Sequence, residues 1–255
     1  MCSRLVTWFS LKWLVCVRFL AMLLAILPLH ATLAAEPLVI AAGAGYKRPV
    51  VELAQAFERQ AGIKVESFFG NMGQVMAQAV QSERVALVFG DQAFLDAAKQ
   101  LRFERYLSAG KGRLVLAWPK GRSLSQTGDI TQPAFIRIAL PDMRHAVYGK
   151  AAAEYLEHSG LGAQVNDRLL TVATVPQVSA YLVSGEVDAG FINLTDAIGV
   201  RDRIGGFIEI DPALYGEIRI VAGVVEGRSQ LSGVSELAAF LETPEAKAIL
   251  ARHGL

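Results

Sequence analysis

Short apolar runs along this chain each end in a Gly-rich or polar turn, and the turn gives way to apolar residues at helical spacing. Leu38 to Ala42 is the first such run, leading into Gly43-Ala44-Gly45-Tyr46-Lys47-Arg48-Pro49. Pro49 is placed to open a helix, on which Val50, Leu53, Ala54, Phe57 and Ala61 share a face. Gly62 stops that helix and Ile63 to Phe69 reads as the next strand, which completes a parallel strand–helix–strand unit. The pattern repeats through Gly70-Asn71-Met72-Gly73, a helix from Gln74 to Ser82, a strand from Val85 to Phe89 and a helix from Gln92 to Gln100. Arg113 to Trp118 is a further strand, broken by Pro119-Lys120-Gly121, where a crossing to a second lobe is expected.

A second alternation begins with the strand Phe135 to Leu140 and the turn Asp142 to Gly149, followed by a helix from Lys150 to His158. A strand at Leu169 to Ala173 and a helix opened by Pro176 come next. The turn Ser184-Gly185-Glu186 then yields an apolar strand ending at Asn193, before the helix opening Leu194-Thr195-Asp196. In an open α/β sheet the carboxyl end of a strand is where ligands sit, which makes Asn193 a candidate contact. Phe207 to Ile210 and Glu217 to Val225 are strand-like, and the tail is helical from Glu236 to Leu241 and from Thr243 to Arg252. The reading is an α/β protein of two lobes, each a mainly parallel sheet flanked by helices. Residues 36–117 and 218–255 form one lobe, residues 118–217 the other.

Four helix openings follow strands or turns, near Lys47, Gly73, Tyr148 and Pro176. The first amides of a helix are unpaired donors with a partial positive charge. Several converging on one cleft make an anion site without any Lys or Arg.

The first 35 residues read as a secretory signal: Arg4, Lys12 and Arg18, an apolar run from Phe19 to Leu27, then Ala31, Ala34 and Ala35. Cleavage near Ala34 or Ala35 gives a soluble exported chain, with an uncleaved anchor as the alternative. Both cysteines, Cys2 and Cys16, leave with the segment, and with them any disulfide or thiolate metal site. Its three basic and no acidic residues take the chain from 25 to 22 Lys and Arg against 24 Asp and Glu. That balance offers no electrostatic footprint for nucleic acid. Catalytic and cofactor motifs are lacking. Gly43 and Gly45 begin a G-x-G, but Arg48 holds the place of the third glycine. His145, His158 and His253 are scattered.

Residues 36–255 resemble the periplasmic molybdate-binding proteins of ABC importers, a family of type II solute-binding proteins. The likeness is densest in Ala146-Val147-Tyr148-Gly149-Lys150-Ala151-Ala152, Ser184 to Phe191, Leu194-Thr195-Asp196-Ala197 and the tail from Ala239. Arg113 to Gly121 looks like the family's interlobe strand. The resemblance implies a two-lobe type II fold in which hinge closure captures a small oxyanion of the molybdate or tungstate type. It also implies a periplasmic monomer that serves a membrane permease, with no cofactor, metal or catalytic residue.

The expected ligand-contact residues are Gly45, Tyr46, Asn71, Met72, Gly73, Ala146, Val147, Tyr148, Val175 and Asn193. The family's first contact is a serine where Gly45 stands, and its second is a serine in the turn that here reads Gly70-Asn71-Met72-Gly73. A tyrosine of the family is replaced by Asn193. Contacts through backbone amides, at Ala146 and Val175, should persist, since any non-proline residue offers an N–H. Losing three hydroxyl contacts to a charged ligand would cost about 4.5–9 kcal/mol, unless Asn71, Asn193, Lys47 or Arg48 compensates. The alternative is the same fold binding a different small polar or anionic ligand, for transport or for signalling. An exported enzyme on this scaffold is a third reading.

Overall fold

Two five-stranded sheets organise residues 36–255, the part of the chain described by the computed structural model. The signal segment lies outside the described residues, and so does the expectation attached to it. In the first sheet the strands are β1 (Leu38–Gly43), β2 (Val65–Gly70), β3 (Val85–Asp91), β4 (Phe103–Gly112) and β10 (Ile218–Val225), in the order β2-β1-β3-β10-β4. The second sheet runs β7-β6-β8-β5-β9, built from β5 (Leu114–Trp118), β6 (Ile138–Pro141), β7 (Leu169–Val172), β8 (Ala189–Asn193) and β9 (Gly206–Glu209). Among the described residues no helix is long and apolar enough to cross a membrane.

Each sheet has the same plan. β2, β1 and β3 are parallel, while β10 runs against both β3 and β4. In the second sheet β7, β6 and β8 are parallel, while β5 runs against both β8 and β9. The reversed strand is in both cases the one that arrives from the other sheet. The chain leaves the first sheet at Gly112 and returns to it at Ile218, and these two residues are paired in the ladder between β4 and β10. The Leu114 amide donates to the Tyr215 hydroxyl at 3.1 Å, so the two crossings run side by side.

This placement corrects the expected crossing after Trp118. β5 already pairs with β8 and β9, so the chain has changed sheet by Leu114, and Pro119 merely ends the strand. β4 was not anticipated at all. It is a half-exposed outer strand whose pairing with β10 slips at Ile220/Val221 and Val224/Val225, and such irregularities break the two-residue alternation that marks a strand.

Among the described residues nine helices flank the sheets: α1 (Lys47–Ala61), α2 (Met72–Gln81), α3 (Gln92–Asp96), α4 (Val147–His158), α5 (Gly162–Val165), α6 (Val175–Ser184), α7 (Leu194–Val200), α8 (Val234–Leu241) and α9 (Pro244–Arg252). α1 buries Val50, Leu53, Ala56 and Phe57, and the Phe57 ring meets Phe240 of α8 at 5.8 Å. α3 stops at Asp96, short of the expected Gln100. Gly185, at φ 76°, ends α6 in the left-handed conformation that glycine adopts without strain.

Candidate functional site

The carboxyl ends of the parallel strands hold the candidate site. β1 and β2 finish in register at Gly43 and Gly70. A single turn of 3-10 helix, Ala44–Tyr46, follows β1 and runs into α1, while Asn71 alone separates β2 from α2. From the other sheet, α4 opens at Val147 beyond β6 and α6 opens at Val175 beyond β7. These four junctions meet around one cavity, lined by residues 43–46 and 70–72 from one lobe and by 146–148 and 174–175 from the other.

The cavity is small. The volume open to the centre of a water molecule is about 20 Å³, room for only a compact ligand. Nothing on its lining is ionisable apart from the phenols of Tyr46 and Tyr148. What faces it is backbone. Among the described residues no acceptor is found for the amides of Met72, Val147, Tyr148 and Val175, all first-turn positions without an intrahelical partner.

Of the ten anticipated residues, Gly45, Tyr46, Asn71, Met72, Ala146, Val147, Tyr148 and Val175 line the cavity, and Gly73 and Asn193 do not. Gly73 instead donates its amide to the His145 carbonyl at 3.3 Å, a bond between lobes. The Ala146 amide, expected to be free, donates to Asp142 O at 3.0 Å, so Val147 and Tyr148 offer the open donors of that turn. Gly43, Ala44, Gly70 and Thr174 were missed. Thr174 was legible: with Gln177 it forms the T-x-x-Q opening of a helix, and the Gln177 side chain accepts from the Thr174 amide at 3.2 Å.

Both asparagines are committed elsewhere. The Asn71 side chain accepts from Gln74 N at 2.9 Å while Gln74 accepts from Asn71 N at 3.0 Å, a reciprocal cap on α2. Asn193 is fully buried. Its oxygen accepts from the Asp196 amide at 3.1 Å and its nitrogen donates to the Gly45 carbonyl, across the lobes, at 2.9 Å. Lys47 lies over the Phe69 ring at 5.7 Å, and Arg48 pairs with Asp196 at 3.4 Å. Neither cation lines the cavity.

Tyr46 and Tyr148, one from each lobe, meet with ring centroids 6.0 Å apart and planes tilted by 58°. Their hydroxyls are buried and neither meets hydrogen-bond geometry with a described residue. Burial pushes both phenols up; the Tyr46 hydroxyl and the Asn193 amide partly offset this at Tyr148. Both therefore remain neutral. The Tyr148 hydroxyl rests against Gly112 at the lobe crossing, where a Cβ would come within 2.3 Å of it.

Comparison with known proteins agrees with this geometry. The chain is 24% identical over 227 residues to the molybdate-binding protein ModA of Rhodobacter capsulatus, covering 87% of this chain and 88% of that one. It is 27% identical over 225 residues to ModA of Azotobacter vinelandii, covering 84% and 88%. The solved periplasmic molybdate-binding protein of Azotobacter vinelandii superposes with a TM-score of 0.77 at 23% identity, over 85% of this chain and 97% of that one. That likeness shows the two-lobe type II periplasmic-binding-protein fold. The family model described as bacterial extracellular solute-binding protein matches residues 38–255, nearly everything after the signal-like segment, and the chain belongs to that family.

Proposed function

We propose that the mature protein is the periplasmic carrier of an ABC importer, closing its two lobes on a small tetrahedral oxyanion of the molybdate or tungstate type. The observation that carries this reading is the cavity itself: a small void walled by helix-opening amides from both sheets and by no cationic side chain. Such a wall suits a compact anion that accepts hydrogen bonds in several directions. Relatives at 24% and 27% identity named as molybdate-binding proteins support the same ligand class.

The energetics allow for the absent hydroxyls. A hydrogen bond to a charged partner is worth about 1.5–3 kcal/mol. The amides of Met72, Val147, Tyr148 and Val175 offer four such bonds, which have to offset the cost of association as well as the loss of the hydroxyls. These amides stand in for the two serines and the tyrosine that the resemblance implies, while Asn71 caps α2 and Asn193 holds the Gly45 turn from across the cleft. The role is that of a carrier, in keeping with the solute-binding family whose model matches residues 38–255. The partner is a membrane permease that receives the ligand.

Calorimetry of the chain from Glu36 against molybdate, tungstate, sulfate, phosphate and a set of organic anions tests this reading. One-to-one binding of molybdate or tungstate, tighter than of any organic anion, is expected. Tight binding of an organic anion with none of the tetrahedral oxyanions would overturn it in favour of a different ligand class.

A further inference from the structure

We propose that Arg48 and Asp196 form a clasp between the lobes, positioning residues that set how firmly the cleft holds its ligand although neither lines the cavity. The proposal rests on the reading of that cavity as the ligand site. Arg48 stands in the first turn of α1 and Asp196 in the first turn of α7, so their 3.4 Å contact joins the first sheet's helices to the second's. The two ends differ in setting: the Asp196 side chain is 7% exposed and that of Arg48 38%. Asp196 is fixed from within its own lobe, where the Ser179 hydroxyl of α6 donates to its other oxygen. Three residues before Asp196, Asn193 caps the same turn of α7 and donates to the Gly45 carbonyl.

Both lobes' cavity walls hang on this cluster. Gly45 and Tyr46 belong to the turn immediately before Arg48, and Ser179 belongs to α6, whose opening at Val175 is a wall of the cavity. When the lobes part, Asp196 loses its cation and Arg48 its anion. Burial already raises the Asp196 pKa, with Ser179 and Arg48 acting to lower it, so the charge is one that needs its partners. Ligand affinity in a hinged protein scales with the fraction of molecules able to close. A clasp that favours closure therefore tightens binding from outside the site.

A glycine makes the test clean. The Arg48 side chain passes directly over Gly199 of α7, where an added Cβ would lie 1.8 Å from Nε. Gly199→Ala would evict the guanidinium while altering no charge and no residue of the cavity, and alanine is the better helix former. Arg48→Met, which keeps a long apolar stem and removes the charge, is the companion variant.

For both variants, calorimetry with molybdate is expected to show Kd raised about tenfold, an effect between that of exposed and buried ion pairs. Small-angle scattering without ligand should give a larger radius of gyration than wild type, in protein that still melts in a single cooperative transition. Wild-type affinity in both variants, or a ligand-free radius of gyration that does not move, overturns the clasp. The scattering needs no ligand, so failure of wild type to bind molybdate would count against the proposed function and leave the clasp decided by its own measurement.

Discussion

At the scale of single residues, the two substitutions that looked like independent losses prove to be one contact. The resemblance sets Gly45 and Asn193 against a serine and a tyrosine, and here the Asn193 amide donates to the Gly45 carbonyl, 148 positions apart in sequence. A Cβ at position 45 would lie 3.0 Å from Asn193 Nδ2, so the amide would have to yield by a few tenths of an ångström. Restoring the serine thus strains the interlobe bond. Gly45→Ser should weaken oxyanion binding several-fold by calorimetry, and a gain in affinity would show that the interlobe bond is dispensable. The sequence showed that Asn193 ends a strand, but not that its side chain is spent on a partner across the cleft. Strand position follows from local pattern, whereas the partner is set by how two sheets are brought together.

At the scale of elements, the helix openings were the most legible feature and the most informative. Pro176, and Asn71 with Gln74, carry their meaning within four residues of chain, as capping does. The function assigned to Asn71 changes accordingly. As a cap its loss should be felt in stability, and Asn71→Ala should cost about 1 kcal/mol in chemical denaturation, with binding little altered. β4 escaped notice because its ladder is irregular and half exposed.

The tail was legible as helix, but not its tie to α1. Glu52 accepts from Arg252 and also meets His253 of the C-terminal turn at 2.7 Å. His253 first and Arg252 next hold its carboxyl below the usual carboxylate range. A depressed folded pKa contributes stability above the ordinary carboxylate pKa, and that stability is lost as pH falls through the lowered value. Glu52 is 40% exposed, so solvent screening limits the pair to about 0.5–1 kcal/mol. Glu52→Gln should be less stable by about that amount at neutral pH, converging with wild type in acid; a constant gap across the titration would exclude the ionic contribution.

At the scale of the molecule, the alternating pattern was sufficient to read two α/β lobes, and the return to the first lobe at Ile218 was visible as a long apolar strand. The outward crossing was misjudged because Gly112-Arg113-Leu114 has no composition break: β4 passes into β5 across a single residue. Closeness of the two crossings gives the hinge its form. Gly112 pairs with Ile218, and a side chain at 112 would collide with the Tyr148 hydroxyl, so the floor of the cleft is built into the hinge. On the proposed reading, opening the lobes would move whole helix openings apart, which would make a cavity of backbone a switchable site.

That the ligand is held by amides rather than by side chains is most directly tested at Val175. Its N–H has no acceptor among the described residues, it stands at the first position of α6, and Thr174 before it has ψ 158°. Proline is tolerated at a first helical position and after an extended residue, so Val175→Pro removes one donor and leaves the fold. Calorimetry of both proteins with molybdate should show one-to-one binding to wild type and an affinity about 10–100-fold lower in the variant. Equal affinity in a folded Val175→Pro protein would contradict the account.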